Sequence, residues 1–198
     1  QHVTAETCTH YLVLSKDRYK EKDGRNFICS PPLRSKADVD AMWDGLSDGT
    51  LSVISSDHCG FSAEQKKEYG HEFSDVPNGL PGVEERLAMV HEHGVVRRGM
   101  TVNRMVELLS TNPAKLFGLY PRKGTVAVDG DADLTIFDPG ARRNISTETL
   151  RSGVNWSPYE GMTVRGWPTK VIARGEVVME DGIITANPGR GAFLRRKP

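Results

Sequence analysis

An apolar-leaning run, Leu51 to Ile54, climbs into Ser55-Ser56-Asp57-His58-Cys59-Gly60. Buried strands that end at a chemical site have this pattern, because side chains at strand carboxyl ends face the loops where α/β enzymes work. Asp57 is the candidate metal ligand of the stretch, since carboxylate, imidazole and thiolate all bind divalent metals such as zinc. The plain alternative is a strand-end aspartate capping a turn. Neighbours in an extended segment point to opposite faces, so Asp57, His58 and Cys59 do not easily meet one ion. A Cys59–His58 nucleophile pair is weaker still, because adjacent residues rarely form the base–nucleophile hydrogen bond. Cys59 reads as a small packed side chain. His91 and His93 fall in the helical pattern "AMVHEHG", about 200° apart around the axis. They read as surface histidines near a helix C-terminus, where the dipole favours them. Two Pro/Gly-stiffened pieces, "SPPLRS" and "PNGLPGVE", could present peptide N–H and C=O groups to a small polar ligand or serve as connectors.

These residues need elements to hold them. The opening "HVTAETCTHYLVLS" is Thr/Val/Tyr-rich and predicts a strand. "KDRYKEKDGRN" predicts a charged loop, and "FICSPPLRS" a short strand stopped by two prolines. "SKADVDAMWDGLSDG" predicts a helix capped by Ser35, with Val39, Met42, Trp43 and Leu46 on one face and Gly49 ending it. The strand into Asp57 follows. "FSAEQKKEYGHEFSDVPNGLPG" predicts a long polar loop of the kind that often carries function. "GVEERLAMVHEHGVV" predicts a helix with Val83, Leu87 and Val90 on one side, and "TVNRMVELLST" a second. "TNPAKLFGL" predicts a third, with Asn112 as cap, Pro113 at the first helical position and Gly118 as the end. Near Leu119 to Lys123 the texture changes to short β-runs joined by Asp-Gly and Arg-Gly turns. The order is that of an α/β unit followed by a β piece.

Composition sets broad limits. The 198 residues carry 26 Lys+Arg and 26 Asp+Glu, a net charge of zero, which favours neither nucleic acid nor an anionic membrane as partner. Three scattered cysteines, with no CxxC pair, point away from a disulfide framework and toward a reducing cytoplasm. No run of about 18 apolar residues exists. The chain opens at Gln1 in mid-pattern, and the expectation is that residues precede it.

Taken together, "ETCTHYL", "ICSPPLR", "SSDHCGFSAEQK", "DVPNGLPGVEERL", "LLSTNPAKLFGLYPRKGTVAVDGDADLTIFDP" and "YEGMTVRGWPTKVIARGEVVMEDG" resemble the C-terminal part of the dihydropyrimidinase/hydantoinase family of cyclic amidohydrolases. The likeness runs over nearly the whole chain in the family's order. It implies a TIM-like (β/α)8 metallo-dependent hydrolase barrel plus a small β-sandwich built from both chain ends. Residues 1–122 would supply the last two barrel strands and following helices, and residues 123–198 the C-terminal strands of the sandwich and the tail. It implies two metal ions, usually zinc, that activate water against the amide carbonyl of a cyclic diamide such as a dihydropyrimidine or hydantoin. Asp57 stands at the family's last metal ligand and would also move the proton from water to the leaving nitrogen. Ser30 and Asn78 stand where backbone groups of the family bind the cyclic amide. The tail "GRGAFLRR" resembles one that reaches onto neighbouring subunits, which implies a homo-oligomer, a dimer or tetramer.

The departures matter as much. The family's other ligands, a His-x-His pair, a carboxylated lysine and two further histidines, lie upstream of these segments, and none of His2, His10, His71, His91 or His93 matches them. A barrel alone takes about 250 residues, so 198 cannot hold barrel and sandwich. The chain reads as a fragment of a longer enzyme, half of a split one, or a remnant, and is expected to be inactive alone. Two rivals stand beside the hydantoinase reading. One is an allantoinase-like hydrolase. The other is a non-catalytic scaffold like the collapsin response mediator proteins, which the retention of Asp57 argues against.

Overall fold

Two short strands, β1 (Glu6–Cys8) and β2 (Val53–Ser55), lie side by side in parallel, with Glu6 opposite Val53 and Cys8 opposite Ser55. They belong to a computed structural model that describes residues 3–69 and 72–196. His2 and His71 lie outside the described residues.

The chain from β1 to β2 passes through α1 (Thr9–Val13), two 3-10 turns (Lys16–Lys20 and Gly24–Phe27) and α2 (Lys36–Asp48). α2 is the helix that its residues foretell. The Ser35 hydroxyl accepts from Asp38 N while Asp38 accepts from Ser35 N, and Gly49 closes the helix at φ +91°. Its Val39, Trp43 and Leu46 are buried with Leu12, Ile54, Val90, Met105 and Leu108, and Trp43 Nε1 donates to Leu12 O at 2.8 Å. This cluster fixes β2 against the helices behind it.

The opening differs from expectation. Only Glu6–Cys8 is strand, and "THYLV" turns into α1. β-propensity yields here to burial, since a helical turn buries the adjacent Thr9 and His10 together, which an alternating strand would point to opposite faces. "FICSPPLR" forms no strand either; the Ile28 carbonyl is taken by Gly79 N at 3.1 Å. The long polar loop contains a helix, α3 (Ala63–Glu68), closed by a Ser62/Gln65 capping box.

The following helix starts three residues later than Val83, which is exposed. α4 (Arg86–Val90) runs on as a π-helical stretch, His91–Val96. α5 (Val102–Val106), capped by the Thr101 hydroxyl, likewise runs through a π-helical stretch, Glu107–Thr111, into α6 (Asn112–Leu116). Asn112 is therefore inside a continuous helix and caps nothing; its Nδ2 donates to Ser52 O at 2.8 Å. Gly118 ends that helix at φ +68°. Among the described residues no helix is long and apolar enough to cross a membrane.

A four-stranded antiparallel sheet follows, in the order β3 (Leu134–Asn144), β4 (Thr163–Ala173), β5 (Glu176–Glu180) and β6 (Ile183–Ile184). Arg174-Gly175 and Asp181-Gly182 make its hairpin turns, each with both φ values positive, as a two-residue I′ turn requires. Arg165-Gly166 is different and lies within β4.

β4 is pressed onto the π-helical stretch. His91 Nδ1 and Arg165 O are 2.7 Å apart, and Arg165 N donates to the buried Glu92 carboxylate at 2.9 Å. Gly166, at φ +91°, has no room for a β-carbon, which would overlap His91 Nδ1 and lie 2.5 Å from Phe137 Cζ. Gly166→Ala therefore combines backbone strain with overpacking and is expected to destabilise the protein by about 2–4 kcal/mol, read as a fall in the denaturant midpoint.

His91 and His93 are thus not surface histidines. His91 is buried, and burial lowers the His93 pKa from 6.5 to about 4, with Arg97 adding to the effect. The unfolded chain then binds protons before the folded one as pH falls from 6.5 toward 4. Stability is lost across that window, on the order of 1–2 kcal/mol by pH 5. His93→Gln is expected to flatten the decline of Tm between pH 7 and 5; an unchanged decline would remove His93 as its source.

Candidate active site

β2 delivers the central residue. Past Ser55 the chain leaves the strand, and Asp57 takes φ +45°, a left-handed conformation that aspartate tolerates better than most side chains. The turn leaves Asp57 exposed at the strand's carboxyl end. The residues after it are pinned. His58 bridges to Leu80, and Cys59 N donates to Leu80 O at 2.9 Å. His58 Nδ1 accepts from Gly82 N at 3.2 Å and Val83 N at 3.3 Å. His58 and Cys59 therefore tie the Asp57 end of β2 to the Asn78–Val83 loop. Cys59 is the packed side chain that its position suggests, with Gly79 against it.

Two residues that sequence reasoning missed stand beside Asp57. Cys8, at the end of β1, and His10, in α1, each offer a ligand atom within 4.8 Å of the other and of the Asp57 carboxylate. Among the described residues this is the group of His, Cys, Asp and Glu side chains close enough to share an ion. His10 is buried and its Nε2 has no hydrogen-bond partner. Burial lowers its pKa to about 4, against the opposing pull of Asp57, so the imidazole is neutral and able to ligate. Burial also raises the Cys8 thiol, whose Sγ lies 3.2 Å from Ser55 Oγ. Thiol, imidazole and carboxylate with an orphaned buried nitrogen fit a borderline-soft divalent cation such as zinc. The sequence signal was the two-residue spacing of Cys8 and His10 in a segment that reads as a strand, where both would share one side.

Asp57, Cys8 and Ser55 line a cleft of about 720 Å³ with Tyr11, Pro31 and Pro32. Tyr11 closes one side, its hydroxyl donating to Pro31 O at 2.7 Å. Ser30 and Asn78 are exposed and line an adjoining cleft of about 570 Å³ with Tyr19, Cys29, Phe73 and Val76. Ser30 and Asn78 are thus brought together, and Asp57 is next door, with Pro32 on the wall between the two clefts. The Ser30 and Asn78 segments are joined directly by the Gly79 N to Ile28 O hydrogen bond. A buried lysine, Lys66 of α3, spans the same two segments, donating to Ile28 O at 3.1 Å and Pro77 O at 2.9 Å.

Comparison with known proteins bears on this arrangement. The D-phenylhydantoinases of Escherichia coli and Shigella boydii are each 44% identical over 199 aligned residues, spanning 100% of this chain and 43% of their own length. A crystal structure of D-hydantoinase superimposes with a TM-score of 0.95 at 42% identity, over 98% of this chain and 43% of that one. Dihydropyrimidinase from Brevibacillus agri NCHU1002 superimposes with a TM-score of 0.95 at 40% identity and the same coverage. The chain thus spans less than half the length of the relatives it matches, and its mixed α/β fold is a share of their metallo-hydrolase barrel architecture. The model of the amidohydrolase family matches residues 2–178. With β1 and β2 parallel, a carboxylate at the end of β2 and a match over most of its length, the chain belongs to the amidohydrolase family.

Proposed function

We propose that the complete protein containing this chain is a metal-dependent hydrolase that opens the cyclic amide bond of dihydropyrimidines or hydantoins. The observation that carries this reading is the Asp57 carboxylate at the end of β2, grouped with Cys8 and His10 beside the Ser30/Asn78 cleft. The names of the relatives, hydantoinases and a dihydropyrimidinase, supply the substrate class. Asp57 would hold a divalent ion, with Cys8 and His10 as further donors within reach. Such an ion, zinc by donor type, supplies an acidified water and a polarised carbonyl when bound. Asp57 takes the proton of the attacking water and returns it to the leaving ring nitrogen. The backbones of Ser30 and Asn78 read the ring's amide edge through their C=O and N–H groups, held by Pro31, Pro32, Pro77 and Pro81. Residues 1–122 form the barrel share and residues 123–198 the sandwich share and tail. The enzyme works as a homo-oligomer in the cytoplasm, with the "GRGAFLRR" segment at a subunit contact.

The test is ring opening of a dihydropyrimidine and a hydantoin by the complete polypeptide, before and after chelation and zinc return. Activity lost on chelation and restored by zinc is expected. A folded, zinc-loaded protein inert toward both rings would end the proposal.

A further inference from the structure

Lys66 is wholly buried, yet no carboxylate pairs with it among the described residues. A buried ammonium without a counter-ion is unfavourable unless its protons are hydrogen-bonded. Lys66 meets that need with two backbone carbonyls, Ile28 O at 3.1 Å and Pro77 O at 2.9 Å. Its ammonium also sits over the Trp156 ring, 5.9 Å from the centroid, an arrangement that favours the cation.

The carrier of Lys66 is itself braced. The Ser62/Gln65 capping box closes α3, Asn155 Nδ2 donates to the Glu64 carboxylate at 2.8 and 2.9 Å, and Trp156 Nε1 donates to Phe61 O at 2.9 Å. The two carbonyls are 49 residues apart in sequence numbering, at positions 28 and 77. One lies two residues before Ser30 and the other immediately before Asn78. Charge-assisted hydrogen bonds to neutral carbonyls are the stronger kind, and here one cation grips both segments. Burial lowers the Lys66 pKa only to about 8, so the grip persists at neutral pH.

We propose that Lys66 is a positioning residue: it clamps the Ile28–Ser30 and Pro77–Asn78 backbones together and thereby sets the affinity of the Ser30/Asn78 cleft for a cyclic diamide. The substrate half of this inference rests on the hydrolase reading above; the clamp itself does not.

The test is Lys66→Met in the complete polypeptide, a swap that keeps the length of the stem and removes the donors. KM for the cyclic diamide is expected to rise about tenfold or more while kcat and bound metal stay within about threefold. Amide exchange at Gly79, whose N–H also bonds Ile28 O, is expected to quicken about tenfold, a 1.4 kcal/mol weakening of the local closure. Unchanged KM and unchanged Gly79 exchange would overturn the clamp. So would a parallel fall of kcat and Tm with Gly79 still protected, the mark of a merely structural lysine. Where the parent protein opens no cyclic diamide, the hydrolase reading has failed, and Gly79 exchange still decides the clamp. Should the methionine variant not fold, Lys66→Gln, which keeps a donor, and ¹⁵N spectra of the parent's Lys66 Nζ take its place. Slowly exchanging Nζ protons support the clamp and freely exchanging ones overturn it.

Discussion

Asp57→Asn in the complete polypeptide is expected, from the proposed reaction, to lower kcat by about three orders of magnitude or more while leaving folding intact. Asparagine is the informative substitution because the backbone at 57 has φ +45°. Asparagine accepts that conformation, whereas alanine would add strain and blur a chemical effect with a structural one. The side chain is exposed, so its amide packs without a new void. What changes, in the proposed role, is chemical: the amide is a poorer ligand and cannot accept the proton of the attacking water. Bound metal, kcat and Tm measured on one preparation separate these effects. Tm should hold within about 2 °C, since surface substitutions move stability by about 0.5 kcal/mol at most. Turnover near that of the parent would remove Asp57 from the chemistry altogether.

Gly79→Ala is expected to be among the most damaging single-methyl changes in the molecule, at about 3 kcal/mol. Two independent penalties meet there. The backbone is at φ +123°, a region that only glycine occupies at ease, which costs about 1–3 kcal/mol for alanine. The new β-carbon would also overlap Cys59 Cβ and lie 2.7 Å from Cys59 Sγ, an overpacking penalty of about 1–3 kcal/mol. A double-mutant cycle separates them. Cys59→Gly should recover the packing part in the Gly79→Ala background and leave the backbone part, giving a coupling of about 1–2 kcal/mol. Because Asn78, the proposed substrate contact, precedes the glycine, KM should rise along with the loss of stability. A Gly79→Ala protein within about 0.5 kcal/mol of its parent would mean that the two loops do not meet as described.

Local rules carried some elements from sequence to structure without loss. α2 needed only Ser35, Asp38, an apolar face and Gly49, all within one segment. The hairpins at Arg174-Gly175 and Asp181-Gly182 needed only residues that accept positive φ. Asp57 at the end of an apolar run was legible for the same reason, since a strand and its exit are read from a handful of neighbours. The resemblance carried by the longer segments then supplied the family, which no single spacing could.

Elsewhere tertiary contacts decided. Thr9–Val13 has strand-like residues but folds as a helix, in which the adjacent Thr9 and His10 are both buried. Asn112 has the type of a cap, yet the helix runs through it and its amide is spent on Ser52. His91 and His93 have the spacing of surface residues, but β4 lies over His91 and burial desolvates His93. The grouping of Cys8 and His10 with Asp57 joins residues 49 and 47 positions apart, numbers 8, 10 and 57 in the chain. The Lys66 clamp joins three separate segments. By itself the sequence determined the capped helix, the tight turns, the strand that leads to Asp57 and the family. The burial of ionisable groups and the meeting of distant donors were decided by the tertiary structure, because desolvation and through-space distance depend on which segments pack together and not on which residues adjoin.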